Sequence, residues 1–108
     1  MLYVVTLTYS KPKDVVAAHL DSHKAWLVRC IQSGHILAAG PMEAGNAGII
    51  IATSESRHEL DALLQQDSFH QNGLVDYDIR AFSPALRAED FPAAWAADAK
   101  PVPVAHKG

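Results

Sequence analysis

Residues 14–34, DVVAAHLDSHKAWLVRCIQSG, decide the fold, because a helical period runs unbroken through them. Val16, Leu20, His23, Leu27 and Cys30 recur at steps of four, three, four and three, which places them on one stripe of a helix from Asp14 to about Ser33. Gly34 stands where a left-handed C-terminal cap is expected. One member of the stripe is out of character: His23 puts a titratable imidazole where the period reserves a place for an apolar side chain. A buried imidazole needs a partner, and if that partner is a carboxylate in a cleft, the pair can move a proton or bind a polar ligand.

Outward from this helix the period changes on both sides. Toward the N-terminus, Val5, Leu7 and Tyr9 alternate with Thr6 and Thr8 in a half-buried strand from Leu2 to Tyr9, which Ser10-Lys11-Pro12-Lys13 breaks. Toward the C-terminus, the short apolar run His35 to Ala39 is closed by Gly40-Pro41, and Ala47 to Thr53 carries Ile49, Ile50 and Ile51. With Gly45-Asn46 as the turn signal, these two runs predict a hairpin. Ser56 and Glu59 match a capping box, in which the Ser hydroxyl accepts the N3 amide and the Glu carboxylate reaches back to the cap amide. A second helix is expected from about Arg57 to Gln66, burying Leu60, Leu63 and Leu64. After a loop from Asp67 to Gly73, Val75, Tyr77, Ile79 and Ala81 alternate with Asp76, Asp78, Arg80 and Phe82 in a fourth strand.

The order strand, helix, strand, strand, helix, strand is that of an α+β, ferredoxin-like fold: a four-stranded antiparallel sheet with two helices on one face. The other face is left bare, and the all-apolar run Ile49 to Ala52 has side chains on both faces. A second copy of the chain is the expected cover, giving a homodimer through the sheet face. Residues 1–83 form this domain, and residues 84–108 read as an extension rich in Ala and Pro. There Phe91 and Trp95, four apart, are expected to share one face of a short helix beginning near Pro92 that docks on the body or on the partner subunit. Beyond Lys100 the Pro-Val-Pro-Val stretch, with His106, Lys107 and Gly108, reads as extended tail.

Composition sets limits on the partners. The chain has 108 residues, 49% hydrophobic and 19% charged, which suits one domain with its own core. Twelve acidic against nine basic residues, with no basic run, argue against nucleic acid or an anionic membrane as the main partner and favour a small molecule or another protein. The single Cys30 rules out an intrachain disulfide and reads as a small core residue. No apolar stretch approaches the roughly 20 residues that span a bilayer, and the start of the chain lacks the pattern of a cleaved leader, so cytoplasmic residence is expected.

An Asp that accepts a hydrogen bond from one imidazole nitrogen fixes the tautomer and raises the basicity of the other nitrogen, which can then take or deliver a proton. From the residues alone, Asp67 reads equally well as a helix cap, and His23 as a satisfied core histidine. His19 and His23, four apart, have a spacing that can reach one zinc ion, but no third ligand is evident, so neither metal nor cofactor is expected. His19 reads as a helix-flank residue beside Trp26, while His35, His58 and His106 read as strand-end, helix-surface and tail residues.

Three stretches carry a family resemblance: His23-Lys24-Ala25-Trp26-Leu27; Gly34 through Pro41; and Gln66-Asp67-Ser68-Phe69 followed by Gly73-Leu74-Val75. In order and spacing they resemble the YCII-related (YciI-like) proteins, small members of the dimeric α+β barrel group close to the muconolactone isomerase type of fold. The resemblance covers roughly residues 1–83 and implies that His23 and Asp67 form a pair in a cleft, with Gly40 and Pro41 lining it. Ser68 is a candidate hydrogen-bond donor to a ligand or to Asp67, and Phe69 a candidate anchor of the loop. The chain departs from the family pattern at Ser68, where Pro is usual, and at Val15 and Val16, in a region where many members carry an Arg. The function expected is that of a small enzyme, free of cofactors, that uses His23 and Asp67 for proton transfer on a small polar or aromatic metabolite. Isomerisation, or an elimination such as dehydrohalogenation, would suit such a pair. The alternative is a module of the same fold that binds a small ligand, or serves as an accessory, without catalysis.

Overall fold

The N-terminal strand, β1 (Leu2–Tyr9), is a central strand of the sheet in this computed structural model, which describes residues 1–105. It pairs antiparallel with β3 (Ala47–Thr53) on one side and β4 (Val75–Phe82) on the other. The edge strand β2 (Ile36–Pro41) pairs with β3, giving the order β2-β3-β1-β4 of a ferredoxin-like sheet. Tyr3, Val5 and Leu7 project from β1 to the same side as Ile50 and Ala52 from β3, and the core forms there. Its other wall comes from α2 (Leu20–Gln32) through Trp26 and Cys30, and from α3 (Arg57–Leu64) through Leu60 and Leu64. On the opposite face Val4 lies beside Ile51 and Thr6 beside Ile49, all partly exposed.

Several expectations need correction. The first helix is divided: α1 (Lys13–Ala17) reaches the core through Val16, and the chain then tightens at Ala18 and His19 before α2 begins. His19 has φ −111° and ψ 9°, and its N–H reaches the Val16 carbonyl at 3.0 Å, a three-residue bond in place of the helical four. Trp26 is a core residue with 1% of its surface exposed. Gly40 and Pro41 do not end β2 from outside but continue it, opposite Ile49 and Gly48. A proline is tolerated there because β2 is an edge strand. A register shift between Ile36 and Ala38 turns Ala39 and Pro41 toward the helices.

The extension differs most from expectation. The short helix expected near Pro92 is a single 3-10 turn at Ala93–Trp95, and it lies between two strands that were not expected, β5 (Leu86–Ala88) and β6 (Lys100–Val102), which pair in a parallel ladder. Phe91 and Trp95 do meet, edge to face at 5.7 Å. The ladder takes up the backbone groups a helix would have used: Lys100 N–H donates to Ala85 O, and Glu89 N–H to Val102 O, both at 2.9 Å. The expected tail residue His106, with Lys107 and Gly108, lies outside the described residues. Among the described residues no helix is long and apolar enough to cross a membrane.

Candidate functional site

After α3 the chain turns through Asp67 into the short helix α4 (Ser68–Gln71), and Asp67 is its N-cap. The carboxylate accepts the Phe69 N–H on Oδ1 at 3.0 Å, and the same oxygen lies 2.7 Å from His23 Nδ1. Both readings of Asp67 therefore hold together, since the cap of one helix is also the partner of a histidine on another. The second oxygen is engaged as well: the Tyr77 hydroxyl donates to Oδ2 at 3.1 Å. Asp67 has no exposed surface, and three donors compensate the loss of water around its charge.

Asp67 positions Phe69 by the same act. With its N–H capped, Phe69 lays its ring flat against the His23 imidazole, with centroids 3.8 Å apart and planes 2° from parallel. Tyr9 braces Phe69 edge-on at 6.2 Å, and Trp26 flanks His23 at 5.9 Å. The imidazole is thus fixed on its faces by aromatic rings and at Nδ1 by the carboxylate. His23 Nε2 has no hydrogen-bond partner among the described residues, yet it is not one of the sealed polar atoms that lack a partner. The 11% of the side chain that remains exposed faces a largely apolar cavity of about 550 Å³ between α2 and the β2–β3 edge.

Leu20, Lys24 and Leu27 of α2 share the cavity wall with His23, facing Ala39, Gly40 and Pro41 of β2, while Tyr9 and Phe69 close one end. Of the residues singled out in the sequence, His23, Gly40, Pro41 and Phe69 line this cavity, and Asp67 stands behind His23 without reaching it. Ser68 does not belong to the lining. Its hydroxyl lies 2.7 Å from Ser22 Oγ and 3.4 Å from the His19 carbonyl oxygen, so it ties α4 to the start of α2. A Cβ on Gly40 would meet nothing within 4 Å, so close approach of neighbouring backbone is not what this glycine serves.

Sequence reasoning missed two members of the site. Tyr77 alternates with Asp76 and Asp78 along β4, and a phenol that is buried must find a partner for its hydroxyl, but the period does not say which. Burial, then the charge of Asp67 and the hydrogen bond to it, push the Tyr77 hydroxyl far above the ordinary phenol range, so it remains a donor. Lys24 brings a cation to a cavity that is otherwise nearly apolar. Among the described residues no cluster of three or more His, Cys, Asp or Glu side chains could hold a metal ion. Burial pushes the Cys30 thiol up, which suits a packing role.

A family model for the YCII-related domain matches residues 1–83, the part of the chain that contains the sheet, the pair and the cavity lining. The chain belongs to the YCII-related family. No curated protein matches it. Among solved structures, this YCII-related chain is similar to 5-chloro-2-hydroxyhydroquinone dehydrochlorinase from Burkholderia phenoliruptrix AC1100, in its complex with 2,5-dihydroxybenzoquinone. The TM-score is 0.65 at 19% identity, over 78% of this chain and 95% of that one, a likeness of fold.

Proposed function

We propose that this YCII-related protein is a small-molecule enzyme of isomerase or lyase type, in which His23 is the general base or acid and Asp67 its orienting partner. The observation that carries the reading is the 2.7 Å contact between His23 Nδ1 and a fully buried carboxylate, with Nε2 left open at the wall of a cavity. A carboxylate at Nδ1 favours the tautomer that carries its proton there, and the Nε2 lone pair is then free to take a proton from a bound molecule. The charge that appears on the ring is met by Asp67 in its own plane and by the face of Phe69 above it.

The cavity supports a substrate class. Its apolar walls and stacked aromatic end suit a flat ring, and Lys24 on the rim suits an ionised hydroxyl or carboxylate on that ring. The structural neighbour is a dehydrochlorinase with a dihydroxybenzoquinone bound, which adds support for a hydroxylated ring and for elimination as the reaction. In such an elimination Nε2 takes a proton from the substrate, the electron pair left behind forms a double bond, and halide departs. No cofactor is called on. The reading includes a homodimer closed through the partly exposed sheet face, acting in the cytoplasm with neither nucleic acid nor membrane as partner.

The test is turnover of a panel of hydroxylated quinols, chlorinated quinols and lactones by the wild-type protein, His23→Ala and Asp67→Asn, each checked for folding by circular dichroism. Turnover by the wild type that falls roughly 100-fold or more in both variants supports the proposal. Tight binding of panel members without turnover would make the protein a ligand-binding module instead.

A further inference from the structure

We propose that Tyr77 is a positioning residue for the pair: by holding Asp67 Oδ2, its hydroxyl keeps Oδ1 turned to His23 Nδ1 and so fixes the imidazole in the tautomer whose Nε2 is free. This rests on the reading of His23 and Asp67 as a proton-transfer pair, and it adds a third member supplied by a different element.

The geometry gives each carboxylate oxygen its own task. Oδ1 serves two donors, His23 Nδ1 and the Phe69 N–H, while Tyr77 is the donor recorded for Oδ2 among the described residues. A carboxylate gripped at one oxygen can turn about its Cβ–Cγ bond, whereas one gripped at both cannot turn without breaking a bond in a site closed to water. Tyr77 is itself well placed to grip. Its backbone is fixed in the ladder opposite Leu7, and the His70 ring stacks on its phenol at 5.7 Å, 29° from parallel. Burial and Asp67 hold the phenol in its neutral, proton-donating form, and it is not among the residues lining the cavity.

Loss of the hydroxyl leaves Oδ2 buried without a donor. The carboxylate then either turns, loosening Nδ1, or takes up a proton, in which case it becomes a donor and Nδ1 an acceptor. Both responses depopulate the tautomer with a proton on Nδ1. The consequence is a smaller fraction of molecules with Nε2 ready to accept a proton, without any change in the cavity wall.

The experiment is the tautomer of His23, read from long-range proton–nitrogen correlations of protein labelled with nitrogen-15 histidine, in the wild type, Tyr77→Phe, Asp67→Asn and Ile79→Val. The wild type shows a protonated Nδ1 and an unprotonated Nε2. Tyr77→Phe shifts both nitrogens toward the mixture of a free imidazole, as Asp67→Asn does, while Ile79→Val, which loosens the same strand away from the pair, leaves the wild-type pattern. A wild-type pattern in Tyr77→Phe overturns the proposal, and so does an equal shift in Ile79→Val, which would make the effect one of packing. Should Tyr77→Phe fail to fold, tyrosine labelled with carbon-13 at Cζ gives a second reading: Tyr77 ionises at lower pH in Asp67→Asn than in the wild type, and unchanged titration overturns the proposal. These readings need no substrate, so an inactive wild-type protein would sink the enzyme proposal while leaving this one to its own result.

Discussion

Asp67 joins three separate elements at one side chain: α2 through His23, α4 through its own cap, and β4 through Tyr77. Its removal and its neutralisation should therefore have different consequences. Asp67→Ala strands three buried or partly buried donors, and we expect a loss of about 3–5 kcal/mol in urea unfolding. Asp67→Asn keeps the shape and a good N-cap, so its stability should fall by no more than about 1–2 kcal/mol, while the imidazole loses its anionic partner. Comparable destabilisation by the two variants would show that the charge, and not the hydrogen bonding, holds the three elements. The histidine was legible because it interrupts an apolar stripe, and an interruption of that kind needs a cause. Its acid was legible only with the family resemblance, since Asp at the start of a loop reads as a cap, which it also is. Tyr77 was hidden because alternation assigns a side chain to a face but says nothing of where a long polar tip comes to rest.

Among the elements, those with their own local signals were readable to the residue. Gly34 ends α2 with φ +82°, and both bonds of a Schellman cap are present, His35 N–H to Cys30 O at 3.0 Å and Gly34 N–H to Ile31 O at 3.1 Å. Gly34→Ala would force a Cβ into the left-handed region, and thermal unfolding should report a loss of about 1 kcal/mol. No change would mean that the cap is replaced by another turn. The capping box of α3 forms only by half: Glu59 N–H donates to Ser56 Oγ at 3.1 Å, but the Glu59 carboxylate turns away to His35 Nε2 at 3.2 Å. A tertiary partner outcompeted the local one, which no window of sequence displays. The division of the first helix has a similar origin, because its apolar period passes through Ala18 and His19 undisturbed while the backbone tightens there. The parallel ladder of the extension was illegible for a different reason. Three-residue strands of Leu-Arg-Ala and Lys-Pro-Val are too short to carry an alternation, and the small residues between them hold no period.

For the whole molecule, the fold supports one helix-covered face and one partly exposed face that carries Val4, Thr6, Ile49 and Ile51. If two copies meet there, light scattering of the wild type should give twice the mass of the chain, and Ile51→Asp, which would bury two facing charges per dimer, should give the mass of one. A wild-type monomer would remove the second copy from the account while leaving the cavity, which one chain lines with residues of α2, β2, β3, Tyr9 of β1 and Phe69 of α4. The central claim is that His23 exchanges protons with a ring held in that cavity, and its most direct test is isotopic. Hydroxylated quinols incubated in heavy water with the wild type or His23→Ala are followed by proton NMR for replacement of ring hydrogens by deuterium. The account predicts exchange of at least one quinol that is accelerated by the wild type and returns to the background rate in His23→Ala. Equal acceleration by both proteins, or none by either across the series, would contradict it.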